Sequence, residues 1–285
     1  LAEAYANGVN FFDTADIYQN GASEHTVGQF LKQHPDVHYT TKIGRKDPLS
    51  VTSFNKEHLE SYVEESLANL GVDSLDMVLL HCPPMSVYYM PETFFALDEL
   101  KKSGKIQNYG VSVERVEEAL KALSYDVSAV EIIFNMFRLR PRDLFFDQAK
   151  KNNVGILARV PLASGLLTGK YSLDTQFPAD DHRTTNRNGE LFDKGETFSG
   201  VDYKTGISAA NELKKRLGTD NLASTALKFI LMHDAVSTVI PGASKPSQIG
   251  RNTIASDLPE LTPDQMNIVQ DVYNKFIKDP VDYLW

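Results

Sequence analysis

Hydrophobic and polar positions along this chain repeat with two periods. Short apolar runs rich in β-branched and aromatic residues read as strands; apolar residues three and four apart read as helices. The first run, Val9–Phe12, ends in Asp13, and a polar loop carrying Tyr18 follows. Asn20 and Gly21 mark a turn. A helix then runs from about Ser23 to Gln33, with Val27, Phe30 and Leu31 as its stripe. Val37–Lys42 reads as the next strand. Asn55–Leu70 is an amphipathic helix with Leu59, Val63, Leu67 and Leu70 at helical spacing, stopped by Gly71. Leu75–His81 is almost wholly apolar, as befits a parallel strand covered on both faces. The alternation continues with helix Pro91–Lys101 (Phe94, Phe95, Leu97 and Leu100 inward), strand Ile106–Ser112 and helix Glu114–Leu123. Strand Ala129–Asn135, helix Arg142–Asn152 and strand Gly155–Val160 complete this stretch.

A loop from Leu162 to about Gly200 breaks the rhythm, and a loop of that length is either functional or mobile. Helices follow at Gly206–Leu217, opened by Thr205, and Asn221–His233, opened by Asp220. Ser237–Ile240 is a short strand. Pro246–Ala255 and Pro263–Ile277 are helices with proline in the first turn. Seven strands, each followed by a helix, predict an α/β fold. A leading helix, LAEAYANG, precedes the first strand and implies a further strand ahead of it. The expectation is a (β/α)8 TIM barrel forming a single domain over residues 1–285, its first strand lying outside this sequence. The chain opens inside that helix with no initiator methionine and no leader pattern. A doubly wound open sheet is the alternative, but it wants a G-x-G-x-x-G turn and the sequence has none.

Composition narrows the partners. A net charge of −9 and a pI near 5.3 speak against nucleic acid, which needs a basic footprint. A local basic pocket for an anionic ligand is compatible with that balance. No apolar run approaches the roughly 20 residues of a membrane span. Cys82 is the single cysteine, so no intrachain disulfide forms and a cytoplasmic location is expected. A monomer or weak homo-oligomer is expected.

In a barrel the working residues stand at the carboxyl ends of strands. Asp13, Lys42 and His81 end three successive strands, and Tyr18 lies in the loop after the first. Each has a plain structural reading as well: a cap, a strand-end surface lysine, a core histidine, a loop tyrosine. Together they suggest proton transfer. A free tyrosine titrates near 10, and a neighbouring ammonium favours the phenolate and lowers that value. A carboxylate would orient the lysine, making Asp–Lys–Tyr a general-acid assembly. A histidine opposite would hold a substrate oxygen. No metal is expected, because His81 and Cys82 point to opposite faces of their strand and no H-E-x-x-H pattern exists.

The blocks NFFDTADIYQNGASE, TTKIG, DMVLLHCPP, GKIQNYGVS, ARVPLASGLLTGKY and VIPGASKPSQIGRN resemble those of the aldo-keto reductases, in order and over essentially the whole chain. The resemblance implies a (β/α)8 barrel that binds NADP(H), with NAD(H) less favoured, and reduces small aldehydes and ketones to alcohols by hydride transfer. It places the family's tetrad on Asp13, Tyr18, Lys42 and His81, with Tyr18 as general acid. It also implies an amino-terminal hairpin and first strand that this sequence lacks. Ser112 falls where the family contacts the nicotinamide carboxamide, but Val113 replaces the usual Asn, and Glu131 occupies a position usually held by Gln. Arg159 stands at the nicotinamide-stacking position, and a planar guanidinium can stack there. Leu162, Ser164, Gly165, Leu166 and Lys170 match the pyrophosphate loop, which reads equally as an ordinary flexible loop. Gly242, Ser244, Lys245, Gln248, Arg251 and Asn252 match the segment that receives the adenosine 2′-phosphate, with Lys245 as its cation. A helix start there suits phosphate. Tyr88, Tyr89, Met90 and Phe137 are candidate substrate walls. The alternative function is a cofactor-sensing regulatory subunit with little turnover, since some relatives of this fold serve membrane channels in that way.

Overall fold

The computed structural model describes residues 1–46 and 49–285. Seven parallel strands alternate with helices, an α/β arrangement. The strands are β1 (Phe11–Asp13), β2 (His38–Ile43), β3 (Leu75–His81), β4 (Ile106–Ser112), β5 (Ala129–Ile133), β6 (Gly155–Arg159) and β7 (Val236–Val239). The helices of the amino-terminal half are α1 (Ala2–Ala6), α2 (Ala22–Leu31), α3 (Lys56–Leu70), α4 (Pro91–Lys102) and α5 (Val116–Ala122). Then come α6 (Arg140–Leu144), α7 (Phe146–Lys151), α8 (His182–Thr185), α9 (Tyr203–Leu217) and α10 (Leu222–Leu231). The last are α11 (Pro246–Thr253), α12 (Pro263–Val272) and α13 (Lys278–Val281). Among the described residues no helix is long and apolar enough to cross a membrane.

The chain forms two compact units. The first comprises Leu1–Val113, Glu117–Glu131 and Ala149–Gly155; the second comprises Glu114–Val116, Ile132–Gln148 and Ile156–Trp285. In the first, β1 to β5 pair in parallel in sequence order, Asp13 opposite Thr40, Lys42 opposite Leu79, His81 opposite Ser112 and Ser112 opposite Glu131. Leu75, Val78, Leu79 and Leu80 are fully buried, as befits a parallel strand with both faces covered. Leu59, Val63 and Leu70 of α3 and Phe94, Leu97 and Leu100 of α4 supply the covering layer. In the second unit β6 and β7 pair in parallel. Phe134, Phe146, Phe229 and His233 make an aromatic cluster there, with centroids 4.8 to 5.9 Å apart.

Several elements differ from the sequence expectation. The first strand is Phe11–Asp13, so Asp13 belongs to the ladder. Asp202, not Thr205, caps α9: its carboxylate accepts the Thr205 N–H at 3.0 Å and the Thr205 hydroxyl at 3.1 Å. Asn221, not Asp220, caps α10 by accepting the Ser224 N–H at 3.3 Å. Each sits three residues ahead of the donor, where a cap oxygen reaches. Phe95 is 62% exposed. Phe94 takes the inward place, stacked on Tyr125 with centroids 3.7 Å apart, and successive helix residues point about 100° apart. The helix expected over 142–152 is two helices, since a break at Phe145 lets the adjacent Phe145 and Phe146 both be buried. The last long helix ends in a π turn over Tyr273–Ile277, with both of those residues buried. The long loop holds 3-10 turns and the short α8.

Candidate active site

The first unit aligns its strand ends. The ladder continues past β1, with the Thr14 N–H donating to the Thr40 carbonyl at 2.9 Å and the Asp16 N–H to the Lys42 carbonyl at 3.0 Å. Lys42 and Asp13 are thereby brought side by side on adjacent strands. The Lys42 ammonium donates to both Asp13 oxygens at 2.6 Å and to the Thr14 carbonyl at 3.0 Å. Its side chain is 1% exposed. Burial pulls the Lys42 pKa down, but Glu131, then Asp13 and Tyr18, more than offset it, and the group stands above the ordinary lysine value.

Tyr18 lies over this ammonium, with Nζ 5.1 Å from the ring centroid. Gln19, Asn20 and Gly21 follow in left-handed conformation and return the chain to α2. The Thr14 hydroxyl donates to Ser23 Oγ at 2.7 Å and ties the two ends of the loop together. Tyr18 is 40% exposed, and with Asp13, Phe12 and Ser23 it borders a cavity of about 540 Å³. His81 meets it edge-on, ring centroids 6.0 Å apart, and is buried. Asp13, Tyr18, Lys42 and His81 thus form one group. Ser112 and Glu131 join it: the Ser112 hydroxyl donates to Glu131 Oε1 at 3.2 Å, and Glu131 Oε2 lies 3.6 Å from Lys42 Nζ.

Arg159, at the end of β6 in the second unit, is buried, with Nη1 3.5 Å from Glu196 Oε1. The turn after it is held in left-handed conformation at Ala163, Ser164 and Gly165. A side chain at Gly165 would strike the Tyr171 hydroxyl. The Ser164 hydroxyl donates to the Glu196 carbonyl at 3.0 Å, and His182 Nε2 lies 3.3 Å from Ser164 Oγ. The long loop therefore closes on this turn through Glu196 and His182, residues that no periodicity singles out. Leu162 is half-buried and Lys170 exposed, whereas the Leu166 side chain is buried in the core and leaves only its backbone for a ligand. Ahead of α11, Gly242, Ser244 and Lys245 are exposed. Gln248 turns its side-chain oxygen back to accept the Ser244 N–H at 2.7 Å, the Lys245 N–H at 3.0 Å and the Ser244 hydroxyl at 3.2 Å. Arg251 is exposed and Asn252 half-buried.

Of the candidate substrate walls, Tyr88 and Phe137 are fully buried core residues; Tyr89 is 64% exposed and Met90 half-buried. The sequence also gave no sign of Arg138, a buried guanidinium whose centre stands 4.1 Å from the Trp285 ring centroid and which donates to the Glu114 carbonyl at 2.6 Å.

The strand-end carboxylate, ammonium, phenol and imidazole have counterparts in known proteins. The model of the Aldo/keto reductase family matches residues 1–274. An NADP(+) aldo-keto reductase of Schizosaccharomyces pombe is 30% identical over 270 residues, 88% of this chain and 75% of that protein. A probable voltage-gated potassium channel beta subunit of Arabidopsis thaliana is 29% identical over 297 residues, 97% of this chain and 87% of that protein. The solved holo form of an aldo-keto reductase from Bacillus halodurans has a TM-score of 0.75 at 26% identity, covering 95% of this chain and 85% of that one. On this match of sequence and fold, the chain belongs to the aldo/keto reductase family, whose members include oxidoreductases.

Proposed function

We propose that the protein is an NADP(H)-dependent reductase of small aldehydes and ketones, with Tyr18 as its general acid. The observation that carries this reading is the buried Lys42 ammonium, held at 2.6 Å by Asp13 and set 5.1 Å from the Tyr18 ring. The cofactor, when bound, supplies hydride to the carbonyl carbon. Tyr18 gives its proton to the carbonyl oxygen, and its partial exposure lets solvent replace that proton. Lys42 offsets the charge left on the phenol, and Asp13 keeps the ammonium oriented. His81 faces the Tyr18 ring and is placed to hold the substrate oxygen.

The residues present fit the cofactor. The Ser244 N–H and hydroxyl and the Lys245 N–H converge on one oxygen, that of Gln248, an arrangement a phosphate oxygen can take over. Lys245 adds the cation for a 2′-phosphate, which supports NADP(H) over NAD(H). In the second unit Arg159 offers a planar, buried face for a ring; in the first, by itself, Ser112 and Glu131 offer polar atoms that suit a carboxamide.

Replacing the acid tests the reading. Tyr18→Phe is expected to lower steady-state NADPH oxidation with an aldehyde panel by about 100-fold or more and to leave NADP(H) binding by fluorescence titration nearly unchanged. Full turnover in that variant overturns the role of Tyr18. A second reading, a cofactor-sensing subunit, is favoured by the similarity to a potassium channel beta subunit. It predicts a single slow oxidation of bound NADPH with negligible steady-state turnover.

A further inference from the structure

Lys42 has two carboxylates, not one. Asp13 from β1 holds the ammonium at 2.6 Å, and Glu131 from β5 approaches it to 3.6 Å. Glu131 is 2% exposed. Its other oxygen accepts the Ser112 hydroxyl at 3.2 Å, and Ser112 Oγ lies 3.7 Å from Cys82 Sγ. A hydroxyl that donates to this oxygen suits an ionised acceptor. With both acids ionised, the Asp13–Lys42–Glu131 trio carries a net charge of −1, its ammonium 5.1 Å from the Tyr18 ring centroid. A glutamine at 131 would leave it neutral.

We propose that Glu131 is a positioning residue that acts through Lys42 to keep Tyr18 in its proton-bearing form, biasing the site towards donating a proton rather than accepting one. This rests on the reading of Tyr18 as the acid. The physical reason is charge balance. A lone ammonium stabilises a phenolate beside it; a second carboxylate in the same buried space takes up part of that field and repels a new negative charge. Glu131 and Asp13 both raise the Lys42 pKa by their charge, and Asp13 adds its hydrogen bond, so the Glu131 field reaches this group. Among the described residues, Lys42, Asp13 and His81 stand around Tyr18, the buried Asp16 lies two residues before it, and Cys82 lies beyond Ser112. None of them changes in the substitutions below, so a shift belongs to position 131.

The test is a spectroscopic titration of tyrosinate absorbance, each protein subtracted against its own Tyr18→Phe counterpart. Glu131→Gln is expected to lower the pH at which Tyr18 ionises by roughly 1 unit. Glu131→Asp, which draws the charge back from Lys42, falls between Gln and the parent. The alkaline limb of NADPH-dependent carbonyl reduction should move in the same order. An unchanged ionisation in Glu131→Gln overturns the proposal, as does Glu131→Asp shifting further than Gln. If far-UV circular dichroism shows that Glu131→Gln does not fold, the Asp variant decides alone, a downward shift supporting the role and none overturning it. If the parent reduces no carbonyl compound, the proposed function fails, while the absorbance titration still decides the part played by Glu131.

Discussion

At the scale of the residue, buried charge separates the groups that chemistry uses from those that folding must tolerate. Lys42 is buried and fully compensated. Asp16, two residues before Tyr18, is 2% exposed, and neither carboxyl oxygen makes a hydrogen bond with the described residues. Burial pushes its pKa up to about 7, with Lys46 opposing, Glu24 and Glu65 adding to the rise, and the Ile17 amide giving slight relief. The folded state therefore holds a proton that the unfolded state has lost between about pH 4 and pH 7. Stability falls as pH rises through that window and levels off above it. Asp16→Asn removes this dependence. The variant should gain on the parent by up to about 3 kcal/mol more at pH 8 than at pH 4.5, read from urea unfolding at the two pH values. An equal difference at both would show that Asp16 is ionised throughout. Nothing in the sequence marks Asp16, because an acid beside a strand end looks the same whether it faces solvent or is buried.

At the scale of the element, the packing of α2 on α3 turns on Gly28. A side chain there would run into the backbone carbonyl of Leu70. Two tendencies oppose each other in Gly28→Ala. Helix propensity favours alanine by about 1 kcal/mol, whereas forcing a methyl group against main-chain atoms costs about 1–3 kcal/mol. Backbone cannot swing aside as a side-chain tip can, so the steric cost is expected to win. The prediction is a net loss of up to about 2 kcal/mol in urea unfolding, and a gain would mean the helices separate without cost. Element existence was legible from periodicity: strands β2, β3 and β4 lie where the apolar runs put them. Ends were less so. Asp202 and Asn221 cap their helices, where the sequence pointed to Thr205 and Asp220, since capping depends on which oxygen reaches an amide three residues on.

At the scale of the molecule, curvature decides what meets what. Adjacent strands lie about 4.8 Å apart, so in a flat sheet β2 and β5 would stand roughly 14 Å from one another. Lys42 and Glu131 close to 3.6 Å because β1 to β5 of the first unit curl towards their strand-end side chains. The second unit gathers residues equally far apart in sequence. The Trp285 ring lies on Arg138 and against Gly200, and is 5% exposed. Trp285→Ala removes that ring from over a buried guanidinium and should lower the unfolding free energy by about 3 kcal/mol. Trp285 is the sole tryptophan, so the native protein's emission reports this cluster alone. It should be shielded from acrylamide until unfolding, and ready quenching of the native state would contradict the packing.

The sequence by itself determined that strands and helices alternate, that Asp13 and His81 end their strands with Lys42 one residue short of the end of the strand between them, and that Tyr18 follows the first of them. Those features are local: a two-residue or 3.6-residue period and a position at its end. The tertiary structure alone decided that Glu131 joins Asp13 on Lys42, that Asp16 is buried, and that Tyr88 and Phe137 are core residues. It also decided that Glu196 and His182 close the long loop over Ser164. Each of these depends on how far a curled sheet or a folded loop carries side chains towards one another, and that distance is written in no local pattern.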